Sequence, residues 1–225
     1  MTLSSAWSYS SIKAFQTCPK QYYHVRVLRD IPRQPDTEAI IYGKEFHAAA
    51  EDFIKHGTKL PEIFSYAQTY LNTLRDMPGD KYCEYEMGLR ADFTPCKFKD
   101  HDVWARGIAD LVCIHDDLAR VIDYKTGRSA KYADTAQLEL MALCIFKHFP
   151  NVKRVKAGLL FVVAREFKPA VYRAEEAPVY WRNWIPLVQR LEGAHLSNTW
   201  NPNRSGLCKA HCPVTSCQHN GANKT

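Results

Sequence analysis

The run ARVIDYKTG, residues 119–127, places a sharp constraint on what this chain can fold into. Its β-branched and aromatic residues carry no helical spacing, so it reads as a strand. Alternate strand residues share a face, which puts Asp123 and Lys125 on one side and Ile122 and Tyr124 on the other. A carboxylate beside an ammonium on an otherwise apolar strand is costly to bury without a purpose. Upstream, GIAD puts Asp110 on the preceding strand, thirteen residues before Asp123, and HDDL between them reads as a hairpin turn. Across that hairpin the two carboxylates can converge. Convergent carboxylates repel unless a cation lies between them, and oxygen ligands of this type suit Mg²⁺ or Mn²⁺. A lysine at the edge of such a site can hold an attacking water or steady charge on a phosphate. The bland alternative is a cross-strand salt bridge between Lys125 and an aspartate. An isolated D-x-K favours that alternative; GIAD and the following TG turn move the weight to a metal site.

The remaining pattern is α/β. Residues 9–28 read as helix broken by Pro19, DIPRQPD as a loop, and residues 38–57 as a helix stopped by Gly57. A third helix is expected over 61–75, closed by the turn MPGD. Strands follow at KYCEYEMGLRADF, DVWARGIADLVCI and ARVIDYK, then a helix over 135–149 and a continuous apolar strand, VKAGLLFVVARE. A final helix covers 178–197, its Trp181 and Trp184 serving as core, before a turn-rich tail. With 225 residues, 46% hydrophobic and 24% charged, the chain is long enough for one globular domain and too apolar for a disordered one. It has no apolar run of the roughly 18 residues a membrane span needs, and MTLSSAWSYSS has no leader pattern, which points to a bacterial or phage-infected host cytosol.

The eight cysteines are unevenly spread. Cys83, Cys96, Cys113 and Cys144 read as small apolar residues, whereas Cys208, Cys212 and Cys217 crowd into ten residues and Cys18 stands alone near the other end. Thirty basic residues against 24 acidic ones give a net charge of +6, compatible with a polyanionic partner. Lys20, Arg26, Arg29, Arg33 and Arg106, interleaved with Trp7, Tyr22, Tyr23 and Tyr132, suit either a solvated basic face or a grip on phosphates and bases. Arg128 and Lys131, just past the DYKTG strand, are the two expected to touch nucleic acid.

The order of segments resembles the RecB-like branch of the PD-(D/E)XK nucleases, which includes exonucleases of phages and of CRISPR adaptation systems. The pieces are SYSSIKAFQTCPKQYY, GKEFHAAAE with Gly43 and His47 in a G-x-x-x-H helix, RGIADLV, VIDYKTG, AQLELMALC and GLCKAHCPVTSC. The resemblance implies a restriction-endonuclease-like core with a mixed central β-sheet flanked by helices, in one domain spanning 1–225. Within it, 1–78 would be mainly helical, 79–198 the α/β catalytic core, and 199–225 a cysteine-rich tail near the N-terminal helices. It implies a metal-dependent deoxyribonuclease, an exonuclease of recombination, repair or phage DNA metabolism, with DNA and a helicase or recombinase as partners. A non-catalytic DNA-binding or assembly subunit keeping the same fold is the alternative.

His47, Asp110 and Asp123 would ligate Mg²⁺ or Mn²⁺ together with the carbonyl of Tyr124. Lys125 would be catalytic, and Gln137 would position the lysine or the DNA. Met141 stands where the family usually has tyrosine and cannot donate a hydrogen bond. Glu84 and Glu86, on one face of a strand before Asp110, are candidate extra carboxylates, with facing solvent or pairing with nearby Arg and Lys the favoured alternative. Cys18, Cys208, Cys212 and Cys217 would hold a four-iron four-sulfur cluster. The spacing here is C-x3-C-x4-C rather than C-x2-C-x5-C, with His211 in the vacated place and His219 nearby, so zinc competes.

Overall fold

The computed structural model describes residues 6–131 and 133–223; Tyr132, one of the aromatics named above, lies outside the described residues. The chain divides into two compact units, residues 36–181 and the pairing of 1–35 with 182–225.

The first unit is built on a six-stranded mixed sheet. Its strands are β1 (Asp80–Leu89), β2 (Pro95–Cys96), β3 (Ala105–His115), β4 (Leu118–Lys125), β5 (Arg154–Phe161) and β6 (Glu166–Arg173), in the order β2-β1-β3-β4-β5-β6. Only β4 and β5 run parallel, and the crossover between them carries the helix α5 (Ala136–His148). HDDL makes the expected hairpin, with Asp116 left-handed at φ 53°. The MPGD turn depends on Gly79, at φ 115°, where a Cβ would lie 2.2 Å from the carbonyl oxygen of Ile114.

One face of the sheet is covered by the helices numbered here α3 (Glu38–His56) and α4 (Gln68–Arg75), the latter led in by a 3₁₀ segment, Glu62–Ala67. Thr37 caps α3 by accepting from the Ile40 amide, and Gly57 ends it at φ 69°. Phe46, Ala50, Phe53 and Ile54 recur at helical spacing and meet Leu71, Leu111, Ile122, Tyr124 and Leu160 in one core cluster. Burying each of those large α3 side chains stabilises by about 1.5–3 kcal/mol, which outweighs the roughly 1 kcal/mol that Gly43 costs mid-helix. On the opposite face α5 buries Leu138 and everything from Leu140 to Ile145.

The apolar run from Val155 does not stay a strand to Glu166. It ends at Phe161, reverses through residues 162–165 with Arg165 left-handed at φ 55°, and returns as β6. No glycine, asparagine or proline marks that turn, and Pro169 argues locally against a strand; an outer strand tolerates proline because one side of its ladder is empty.

In the second unit, Ser8 and Ser11 form a reciprocal cap on α1 (Tyr9–Thr17). Cys18 is extended, Pro19 opens α2 (Pro19–Tyr22), and a π-helical turn, Tyr23–Leu28, ends at the left-handed Arg29. The helix α6 (Ala177–Ser197) supplies Trp184, which stacks on Trp7 at 6.1 Å. Trp200 stacks on Tyr22 and Tyr23 at 6.0 and 5.0 Å. The tail is shaped by side-chain amides: Asn220 donates to the carbonyls of Cys212 and Val214, and Asn223 to those of Thr215 and Cys217.

Candidate metal centre

The pairing of β3 with β4 runs from His115 opposite Leu118 to Leu111 opposite Ile122. Beyond that point Asp110 takes over: its Oδ2 accepts a 2.6 Å hydrogen bond from the Tyr124 amide. The strands therefore fork around a carboxylate. Oδ1 of the same residue lies 3.4 Å from Nδ1 of His47 on α3.

A third group arrives by an unusual route. Glu84 stands opposite Asp110, between the pairs Cys83–Leu111 and Tyr85–Ala109, and adopts a left-handed backbone at φ 47°. In an ordinary strand Cys83 and Tyr85 would share a face. Here Cys83 joins the core under α3, while Tyr85 packs on Phe149 and His148 beyond α5. The facing pattern slips by one residue, and the Glu84 carboxylate turns to the α3 side, 3.8 Å from His47 Nδ1. Glu84 thus faces His47 and Asp110 rather than a lysine or arginine. Alternation gave no hint of it, because the deciding variable is a single backbone dihedral. Glu86 is exposed.

Donor atoms of His47, Glu84 and Asp110 lie within 4.8 Å of one another, and they form the one such group of three or more among the described residues. An octahedral ion with bonds of about 2.1 Å sets adjacent ligand atoms about 3.0 Å apart and opposite ones about 4.2 Å apart. The observed separations of 3.4 and 3.8 Å fall in that range. Burial disfavours the charged imidazole, but Asp110 and Glu84 outweigh it and raise the pKa of His47 to about 10. The two partly buried carboxylates thus hold the imidazole protonated, and a divalent ion would have to displace that proton to bind the ring nitrogen.

Asp123 and Lys125 share the other face, as the strand period requires. Lys125 Nζ is 2.5 Å from Asp123 Oδ2 and donates to Gln137 Oε1 at 3.3 Å, while the Gln137 amide donates to Asp123 Oδ1. Both carboxylate oxygens of Asp123 face these two residues, and Asp123 lies outside the group of three. It is nonetheless a neighbour: burial raises its pKa, the Asp110 charge raises it further, and Lys125 and His47 oppose both. Met141 is buried in the core.

Gly43 acquires a reason in this frame. A Cβ there would come within 3.3 Å of Thr126 Oγ1, so the missing side chain lets the end of β4 approach α3 one turn before His47. Beside them a cleft of about 470 Å³ is lined by Gly43, Lys44, His47, Ala48 and Glu84. Arg128 and Lys131 are both exposed on the loop leaving β4.

The cysteines lie in the other unit. Cys18 Sγ accepts from the Asn203 amide at 3.4 Å, and Cys208 Sγ from the Ser205 amide at 3.5 Å. The Asn203 side chain also donates to the carbonyls of Gln16 and Thr17, strapping the tail to the Cys18 turn. Cys212 is half-buried, Cys217 is buried, and all four are free thiols. A single zinc with four bonds of about 2.3 Å needs sulfurs about 3.8 Å apart. No three of these thiols gather within 4.8 Å among the described residues. A four-iron cluster spaces its thiolates more widely, and amide hydrogen bonds to sulfur are among the contacts that tune such clusters.

A family model described as the PD-(D/E)XK nuclease superfamily matches residues 6–218. Among solved structures, a Eubacterium rectale protein assigned as an exonuclease superposes with a TM-score of 0.54 at 11% identity, over 92% of this chain and 86% of that one. The structure of SSO0001 covers 98% of this chain and 89% of its own at 15% identity, with a TM-score of 0.40. No curated protein matches the sequence.

Proposed function

This chain belongs to the PD-(D/E)XK nuclease superfamily, and on that premise we propose that it is a Mg²⁺- or Mn²⁺-dependent deoxyribonuclease that removes nucleotides from DNA ends. The observation carrying this reading is the gathering of His47, Glu84 and Asp110 donor atoms at a forked strand pair whose other face bears Asp123 and Lys125. The two carboxylates suit a hard divalent ion, and the imidazole adds a borderline nitrogen donor. In this reading Asp123 turns from Lys125 and Gln137 toward the ion and, with the Tyr124 carbonyl, completes the set. A bound ion would lower the pKa of a coordinated water and offset charge on the phosphate.

The chain's own residues do the rest. Lys125 offers an ammonium to the attacking water or a phosphate oxygen, and Gln137 fixes its direction by holding both Lys125 and Asp123. Gly43 keeps Thr126 and the end of β4 close to the ligand helix. Arg128 and Lys131 meet the DNA backbone as it leaves the site. In the other unit, Cys18, Cys208, Cys212 and Cys217 serve as thiolates for a structural four-iron four-sulfur cluster. The amide contacts to Cys18 and Cys208 and the Asn203 strap support that reading.

The test is digestion of labelled DNA with Mn²⁺ or Mg²⁺, with and without chelator. Asp123→Ala and Lys125→Ala should abolish cleavage while circular dichroism and melting remain those of a folded protein. Cleavage retained by both purified variants would overturn the assignment. Linear DNA degraded while a covalently closed circle survives identifies attack from ends; nicking of the circle refutes the exonuclease mode. Iron content and visible absorption of anaerobically purified protein test the cluster.

A further inference from the structure

Along β4 and β5, between α4 and the outer strand β6, a groove of about 410 Å³ opens on the same face as the α3 core. Its walls are apolar: Leu74, Ile122, Leu160, Phe167 and Val171 contribute, and Phe167 and Val171 are 49% and 55% exposed. The far end of the Phe167 ring reaches over Gly158, where a Cβ would meet Cζ at 2.0 Å, so only a glycine admits the ring there.

Two cations complete the lining, and no acidic residue does. Arg120 and Lys156 stand directly opposite each other on β4 and β5, a like-charge pair that is unfavourable on its own. Among the described residues, Nη1 of Arg120 is buried without a hydrogen-bond partner, so the guanidinium's charge is left uncompensated beside Lys156. An apolar groove with two positive charges and no negative one selects an apolar anion.

The adjoining strand narrows the choice. Among the described residues β6 pairs only with β5, so its outer edge offers backbone groups that match a peptide and are of no use to a hydrocarbon. Pro169 removes one amide from that edge, which restricts any added strand to a few residues. We propose that this groove docks the carboxyl-terminal end of a partner protein, a large apolar side chain filling the cavity and the terminal carboxylate meeting Arg120 and Lys156.

The full chain is titrated against a fluorescein-labelled peptide, Ser-Gly-Ser-Asp-Leu-Phe with a free carboxyl terminus, followed by anisotropy. Saturable binding is expected, weakened about tenfold or more by amidating the terminus, by Arg120→Gln, and by the surface change Lys156→Gln, as loss of a charge-assisted contact requires. Val171→Asp should abolish it. DNA cleavage by these variants should equal that of the parent. No saturable binding, or equal binding of the amidated peptide, overturns the proposal. So does binding of decanoate where the peptide fails, which would make this a lipid site. A parent dimer that Val171→Asp converts to monomer in sedimentation also overturns it, in favour of a second copy as occupant.

Discussion

Glu84 offers a way to separate what a ligand contributes from what its backbone costs. A residue other than glycine in the left-handed region costs about 1–2 kcal/mol, and Glu84 adopts it at φ 47° in the middle of β1. Two substitutions remove the same carboxylate: Glu84→Ala keeps the backbone penalty and Glu84→Gly relieves it. Glycine's greater freedom in the unfolded chain takes back about 0.4–1 kcal/mol of that relief. The glycine variant should therefore be more stable than the alanine variant by about 1 kcal/mol, or about 2–4 °C in melting temperature for a chain of this size. Divalent-ion affinity should fall equally in both, by about 100-fold or more, since removing even a supporting partner of a ligand costs about 10–100-fold. Differential scanning calorimetry reads the first quantity and titration calorimetry with Mn²⁺ the second. Equal melting temperatures would refute the strained backbone; unchanged Mn²⁺ affinity would refute Glu84 as a ligand.

Other consequences can be checked by the same methods. Among the described residues the Tyr124 hydroxyl is buried without a hydrogen-bond partner, so Tyr124→Phe should raise stability by about 1–2 kcal/mol; a lower melting temperature would mean the hydroxyl is satisfied. Gly79→Ala meets both a backbone at φ 115° and the Ile114 carbonyl, and should destabilise by about 2 kcal/mol or more in denaturant titration. Gly43→Leu gains about 1 kcal/mol of helix propensity but presses on Thr126. It should lower turnover at least tenfold with no loss in melting temperature, and wild-type turnover would show that the close approach is unimportant.

How much of this was readable in advance depends on how local each signal is. Asp123 and Lys125 sit on one face because a strand has a period of two, and Gly57 ends α3 because a left-handed C-terminal residue favours glycine. Those rules act within a few residues. The spacing of Gly43 and His47 was visible, but its reason is Thr126, more than eighty residues away. β6 carries no clear local signal, because proline is excluded from strands in general and allowed at an outer one, and sheet position is not written in the segment. Glu84 and Glu86 look alike in the strand pattern, and only the left-handed backbone at Glu84 separates their surroundings. The fork at Asp110 likewise depends on a side chain competing for the Tyr124 amide, which no pattern of apolar residues foretells.

That fork has a consequence for readiness. Because the Asp110 side chain occupies the hydrogen-bonding position a neighbouring strand would have used, β3 and β4 cannot zip together past it. Closing the gap would strand an acid inside the ladder. The opening is thus settled when the chain folds, and an arriving ion or nucleic acid is spared the work of prising the sheet apart.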